Sequence, residues 1–573
     1  MLKQKKHFLL FFFAYLIICL IIFKDLVFNI NKNLLDYYDN SFVVWQINQN
    51  INNIKKLNFS NFFDTNAFFP NKNTLLFANI FLPESLLSFP LTFFTRNIFF
   101  IFNILFLSTF FLNYISIFLF WKLFLKKNII SFFGALFVLF SPFFHLQLGH
   151  FQMISFWPFF FCLYFLVKNE DEKNKHLINL ILAGIFLSIQ FLSSVYLSVF
   201  LIFSIFLFYL INFFYLENKE RNIVIKNLFI IFSVFTLLCG IFVKGYLDVK
   251  KMYHIKRDIR EYITYSAHLS DYFFTTTINS IIHKNIIINR WNSFDKHIIG
   301  EKTAFTGFLF LFLAVLGLFN IEKQNESLSI EFKITKERLF FLSLIIFGFI
   351  FSLGPRISFN GNYSHIPNIY YLALKYIPFF EVIRAPARWS FLFYFGVIYF
   401  ALDGFKKYFV NNKFLILTIF FLFIFEYLPL TLKTSPNYDY LYYKSIMKKY
   451  CRDKKALFFY PTTHLNVKGG IMEGLNYITS ILLSSLDGDC YLFNGYSGYD
   501  LPSIKEIELN FEKFINKREF KNISSLICGK GINTVMLVKN KIVDRNIDIK
   551  NIDKFIEYNN LSQNRCFDIV YLK

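Results

Sequence analysis

Two carboxylates, Asp36 and Asp39, stand three residues apart in DYYDNSFVVW, just after the first apolar stretch of the chain. On a helix that spacing would put both on one face. In an irregular loop they could converge on one hydroxyl or one cation. A carboxylate partly shielded from water holds a proton more tightly than usual and can act as general base toward an alcohol. The same pair would suit a solvated helix cap, since Asn40 and Ser41 follow. A divalent cation, Mg or Mn, is the other use two such acids could have, with Asp36 and Asp39 as its candidate ligands.

Further polar residues stand where apolar spans turn around. SPFFHLQLGHFQMISFWP carries His145 and His150, with Gly149 permitting a sharp reversal. A five-residue separation does not align two imidazoles on one helix face, so a helical metal pair is disfavoured. Binding a phosphate or orienting a carboxylate remains open to them, as does plain interfacial anchoring. EVIRAPARW carries Arg384 and Arg388, whose planar forks match phosphate oxygens, and Pro386 stiffens the approach. Glu301 opens a later span and is a substrate-binding candidate, or else a solvated loop acid. Gln190, Ser193 and Ser194 in QFLSSVY read as small polar groups that pack helices together.

The elements that must carry these groups are apolar helices. Of 573 residues, 55% are hydrophobic and 22% aromatic, including 86 Phe, and only 17% are charged. Mean hydropathy is +0.45. This is the composition of a polytopic membrane protein. After Lys3, Lys5 and Lys6 comes an apolar run, 8–23, with no small-residue cleavage site, which reads as an uncleaved first helix. Residues 46–96 hold no uninterrupted apolar stretch near ~20 residues and fit short interfacial helices. Spans follow near 97–121, 129–144, 151–167, 177–193, 196–216, 223–243, 305–320, 337–353, 389–405 and 414–430. The total is about eleven.

Loop charges orient them. Lys122, Lys126 and Lys127, then Lys168, Lys173 and Lys175, then Lys219, Arg221 and Lys226 all fall on the side of the N-terminus. So do Lys333, Lys336 and Arg338, and Lys406, Lys407 and Lys413. The positive-inside rule then predicts the N-terminus inside and the C-terminus outside. The net charge of +22 is accounted for by this bias; no basic stripe marks a nucleic-acid surface. The predicted architecture is a mainly α membrane bundle over 1–430, with outer loops 24–96, 244–304 and 354–388. A small extracytoplasmic α/β domain follows over 431–573, with strand-like KALFFY, NTVMLV and CFDIVYL and a helical SIKEIELNFEKFINKREF. Cys451, Cys490, Cys528 and Cys566 lie in that domain and permit two disulfides in three pairings. Cys19, Cys162 and Cys239 sit in apolar spans as small hydrophobes.

No P-loop, Rossmann glycine pattern, HExxH or suitably placed GxSxG is present. The ordered set DYYDNSFVVW, FFPNKNTLLFANIFLPESLLSFPL, SPFFHLQLGH, LSSVY, YSAHLSDYFF, EKTAFTGF, IRAPARW and NGYSGYD resembles the bacterial GT-C fold integral membrane glycosyltransferases. That resemblance implies a polyprenyl-phosphate-linked sugar as donor and a glycan, lipid or protein hydroxyl as acceptor. It implies an aspartate of the first outer loop as catalytic base, which maps onto Asp39, with Asp36 second. Asn79 stands where such proteins often carry His. The expectation is an inverting transferase of the cell envelope, in the bacterial inner membrane, with His145, His150, Glu301, Arg384 and Arg388 on the substrate. The alternative is a transporter or lipid-sugar flippase, which would need polar groups at mid-membrane and an internal repeat.

Overall fold

The computed structural model describes residues 2–273 and 302–572, apart from 37, 172–174, 218–220, 303, 325–326, 332–333, 360–361, 378–379, 428–431, 433, 452–454, 463–466, 489, 500, 544–546 and 562–565. Glu301 lies outside the described residues. The chain is mostly helical and forms two compact units. One comprises Met1–Phe28, Phe106–Gly240 and Arg257–Lys433; the other comprises Asn29–Leu105, Ile241–Lys256 and Thr434–Lys573.

Among the described residues, six helices are long and apolar enough to cross a membrane: Ile98–Leu125, Asn128–Leu146, Phe151–Glu170, His176–Ser193, Val195–Tyr215 and Arg221–Met252. The other five expected spans are helical too, but each is shorter or more polar. Phe308–Leu318 has 11 residues, which at the helical rise covers ~16 Å of a ~30 Å hydrocarbon core. Leu2–Ile22 opens on Lys3, Lys5 and Lys6 before its apolar run. Lys336–Ser352 opens on charged residues, Ser390–Tyr408 ends on Asp403, Lys406 and Lys407, and Lys413–Tyr427 has 15 residues. Among the described residues, length and composition by themselves mark six of the eleven expected spans as crossings. The spans read from apolar runs alone include helices whose ends are polar or cut short.

In the first unit the centre is Ser390–Tyr408, buried along nearly its whole length. Glycines let neighbouring backbones approach it. Gly404 meets Gly317 and the Leu313 carbonyl of Phe308–Leu318, and Gly396 meets the Phe341 carbonyl of Lys336–Ser352. Small residues at crossings are how helices associate where no hydrophobic force separates protein from lipid. Buried polar groups close the helix ends. The Glu426 carboxylate accepts the backbone N–H groups of Phe308 and Leu309 at 2.5 and 2.9 Å, satisfying donors that the helix start leaves open. Gln190 accepts from Phe159 N at 3.0 Å and donates to the Ser155 carbonyl at 3.1 Å, mending the break before Trp157. This is the packing role expected of the QFLSSVY run.

In the second unit, four parallel strands run in the order Asp568–Leu572, Thr534–Val538, Ala456–Tyr460, Tyr491–Leu492. Parallel neighbours need crossovers, and the helices Ile471–Ser484, Pro502–Lys517, Phe520–Gly529 and Ile549–Leu561 supply them. Three strands lie where the apolar runs place them. The expected long helix instead breaks at Arg518, whose φ of 59° is left-handed. The disulfides are Cys451–Cys490 and Cys528–Cys566.

One half-buried acid gives this unit a pH dependence. Tyr460 donates to Glu512 Oε1 at 2.8 Å, and burial raises the Glu512 carboxyl above its ordinary value, the hydrogen bond only partly opposing it. The folded state thus binds this proton more tightly than the unfolded one. Stability is fullest below the ordinary carboxylate pKa, near ~4.3, and is lost as pH rises through the higher folded-state value. A thermal-unfolding series across that range should show this decline, and Glu512→Gln should flatten it. An unchanged slope in the variant assigns the decline to other groups.

Candidate functional site

The aspartates belong to the second unit. Asp39 opens the helix Asp39–Lys55, so Asp36 precedes it and the two do not share a helical face. Asp36 Oδ1 accepts the Tyr38 N–H at 2.8 Å, closing a local turn. Asp39 is half-buried in the first helical turn, where the helix dipole favours negative charge, and Tyr496 donates its hydroxyl to Asp39 Oδ1 at 3.4 Å. Tyr496 comes from NGYSGYD and also sets its ring edge-on to Phe42.

What fixes Asp39 is the helix behind it, which is polar yet buried. Trp45 Nε1 and Gln49 Nε2 both donate to Asn66 Oδ1, at 3.1 and 2.5 Å, and Asn66 donates onward to Ser485 Oγ at 2.8 Å. Asn50 donates to the Ile80 carbonyl at 2.7 Å and to Ser85 Oγ at 2.9 Å; Asn53 donates to the Phe62 carbonyl at 2.9 Å. Asn437 Nδ2 reaches Ser41 Oγ at 3.2 Å. Buried amides with partners hold a helix in one rotation and register, since any shift leaves several of them unsatisfied at once. The asparagine-rich run INQNINN supplies much of this buried face.

Among the described residues no group of three or more His, Cys, Asp or Glu side chains is placed to hold a metal ion. A cation at Asp36 and Asp39 would therefore draw its remaining ligands from backbone, water or substrate.

The cationic candidates belong to the first unit. Arg388 is 3% exposed, and its guanidinium lies 4.8 Å from the centre of the Tyr196 ring. Arg384 lies 4.8 Å from the centre of the Tyr265 ring, with its Nε 3.7 Å from Glu261 Oε1. Arg257 Nη1 shares that carboxylate oxygen at 3.0 Å. The segment carrying the arginines is pinned by its backbone. Arg384 N donates to the Tyr196 hydroxyl at 3.2 Å, Ala387 N to the Tyr265 carbonyl at 3.1 Å, and Tyr262 donates its hydroxyl to the Glu381 carbonyl at 2.8 Å. Burial raises the Tyr262 phenol well above its usual value, so it stays a donor at neutral pH. Arg257 and Arg384 share Glu261, and the Glu381 carboxylate also acts on Tyr262, so the arginines stand among acids as well as aromatic rings.

His145 lies in the short helix Pro142–Leu146, and His150 is the residue just before Phe151–Ile154. The Ser141 hydroxyl caps the first, and the His150 carbonyl accepts the Met153 N–H at 2.7 Å. A second polar cluster went unpredicted. His268, Asp271 and Lys302 are at most 1% exposed; His268 N donates to Asp271 Oδ2 at 2.7 Å, and Lys302 Nζ lies 3.4 Å from His268 Nε2. These residues come from YSAHLSDYFF and EKTAFTGF, where only Glu301, next to Lys302, stood out in sequence. Tyr196 and Tyr265 were also missed, because aromatic residues are too common in this chain to signal anything, and so were Arg257 and Glu261, in the charged loop stretch KRDIRE.

Residues 62–425 match the model of a family described as Domain of unknown function (DUF6311). No curated protein matches the chain.

Proposed function

We propose that this chain, which belongs to the DUF6311 family, is an integral membrane glycosyltransferase. It would move a sugar from a polyprenyl-phosphate donor to an acceptor hydroxyl at the outer face of the cytoplasmic membrane. The observation that carries this reading is the pair Arg384 and Arg388, seated on Tyr265 and Tyr196 on a segment pinned by its backbone. A lipid phosphate must leave when the sugar departs, and fixed cations stabilise that developing charge without reorganising. Asp39 takes the acceptor proton as the new C–O bond forms and the bond to phosphate oxygen breaks. A single displacement inverts the sugar carbon.

The same reading has about eleven membrane helices, the N-terminus inside, and residues 431–573 outside. The disulfides support that side, since such bonds persist in oxidising compartments. His145 and His150 remain candidates for the substrate, as does Glu301.

The test is a proteoliposome assay with purified chain and polyprenyl-phosphate-linked sugars. The expected result is acceptor-dependent release of polyprenyl phosphate, lost with heat-inactivated protein. Movement of intact lipid-linked sugar between leaflets, without cleavage, would make the chain a flippase instead.

A further inference from the structure

The second unit holds a cleft of about 870 Å³ that the reading above does not use. It lies against the later turns of Asp39–Lys55, the segment 92–99 and the start of Tyr438–Tyr450. Four cations line it: Lys32, Lys55, Arg96 and Lys444. Its one lining carboxylate among the described residues, Asp487, is engaged by Lys444 at 2.9 Å and by the Tyr440 hydroxyl at 2.9 Å. The other three cations are exposed to solvent, and the cleft's net charge is +3. Between them stand amides and hydroxyls, Asn48, Asn52, Thr92 and Thr95 among them, with Phe99 and Ile51 as apolar floor. Asn52 follows Asp39 by 13 residues of helix, so the cleft is removed from the proposed base by ~20 Å along the axis.

The volume is within the ~300–1,000 Å³ range of small-molecule sites. Cations alone would suit any anion. Amides and hydroxyls in this number instead suit a ligand bearing many hydroxyls of its own, which donate and accept in turn. We propose that this cleft binds an anionic, hydroxyl-rich ligand: an acidic oligosaccharide, or the phosphate-bearing polyol headgroup of a lipid. Phe93 and Phe94, beside Thr92 and Thr95, are exposed apolar side chains that would suit a lipid surface nearby, so the headgroup source is tested directly.

The experiment uses the full chain in phosphatidylcholine nanodiscs, with trigalacturonate as acidic probe and maltotriose as its neutral counterpart, followed by equilibrium dialysis. Trigalacturonate is expected to bind at least roughly tenfold more tightly than maltotriose, and Lys55→Gln/Arg96→Gln to lose that advantage. Both substituted residues are exposed, so thermal unfolding should be unchanged. Asp39→Asn should bind trigalacturonate like the natural sequence, which separates this site from the transferase reading. In discs doped with phosphatidylglycerol, displacement of the probe assigns the cleft to a lipid headgroup, and undiminished binding assigns it to a soluble glycan. Failure of trigalacturonate to bind, or equal binding by the double variant, overturns the proposal.

Discussion

An Asp39→Asn chain is expected to transfer sugar about 100- to 10,000-fold more slowly than the natural sequence, the usual contribution of a positioned general base. Asparagine fits the position physically. It has nearly the same volume, is tolerated in a first helical turn, and its amide oxygen can still accept from Tyr496. What it loses is the capacity to take a proton. The deficit should therefore fall on kcat, with donor affinity and thermal unfolding unchanged. Asp36→Asn is the matched control, because Asp36 Oδ1 serves a local turn through the Tyr38 N–H and an amide oxygen can do the same. A much smaller loss is expected there. If the two variants reverse, the base is Asp36; if both turn over at the full rate, no carboxylate of this segment takes the proton.

Gly404→Leu should leave no folded protein to purify. A Cβ at Gly404 would drive into the Leu313 carbonyl and come within 2.9 Å of Gly317 N, and a Cβ at Gly317 would strike the Phe400 carbonyl in return. Backbone meets backbone here, so no side-chain rotation can make room, and the two helices must separate. The cost exceeds the ~1–3 kcal/mol of ordinary overpacking, against a total stability of only ~5–15 kcal/mol. Because Ser390–Tyr408 is the buried centre of its unit, separation there opens the core on two sides. Gly240→Leu is the comparison. A Cβ at Gly240 has only its own helix's Thr236, 3.9 Å away, as neighbour. That variant should elute from size exclusion in detergent as the natural chain does. Equal recovery of the two leucine variants would show that the helix crossing tolerates repacking.

Much of this protein is written locally. Apolar runs of helical length located every helix of the first unit that was expected to be a span, because backbone donors in an apolar medium have no partner except the same helix. Alternating or continuous short apolar runs located Ala456–Tyr460, Thr534–Val538 and Asp568–Leu572. Candidate chemistry was visible wherever a charged residue is rare against its surroundings, as with Arg384 and Arg388.

Other features depend on residues far apart in the chain. Cysteine spacing allowed three pairings, and only the packing of the sheet and its helices brought Cys451 to Cys490 and Cys528 to Cys566. Asn66 joins Gln49 to Ser485, 419 positions away in sequence, and the buried amides of Asp39–Lys55 acquire meaning only through such partners. Tyr196 became part of the arginine cluster by proximity to Arg388, across 192 residues, which its place in QFLSSVY did not show. Sequence alone therefore located the long apolar helices, three strands of the sheet and the charges that are out of place, since hydrogen bonding and hydrophobic periodicity act over a few residues. Tertiary structure decided which polar groups meet, since that follows from packing, where one contact closes a loop of hundreds of residues.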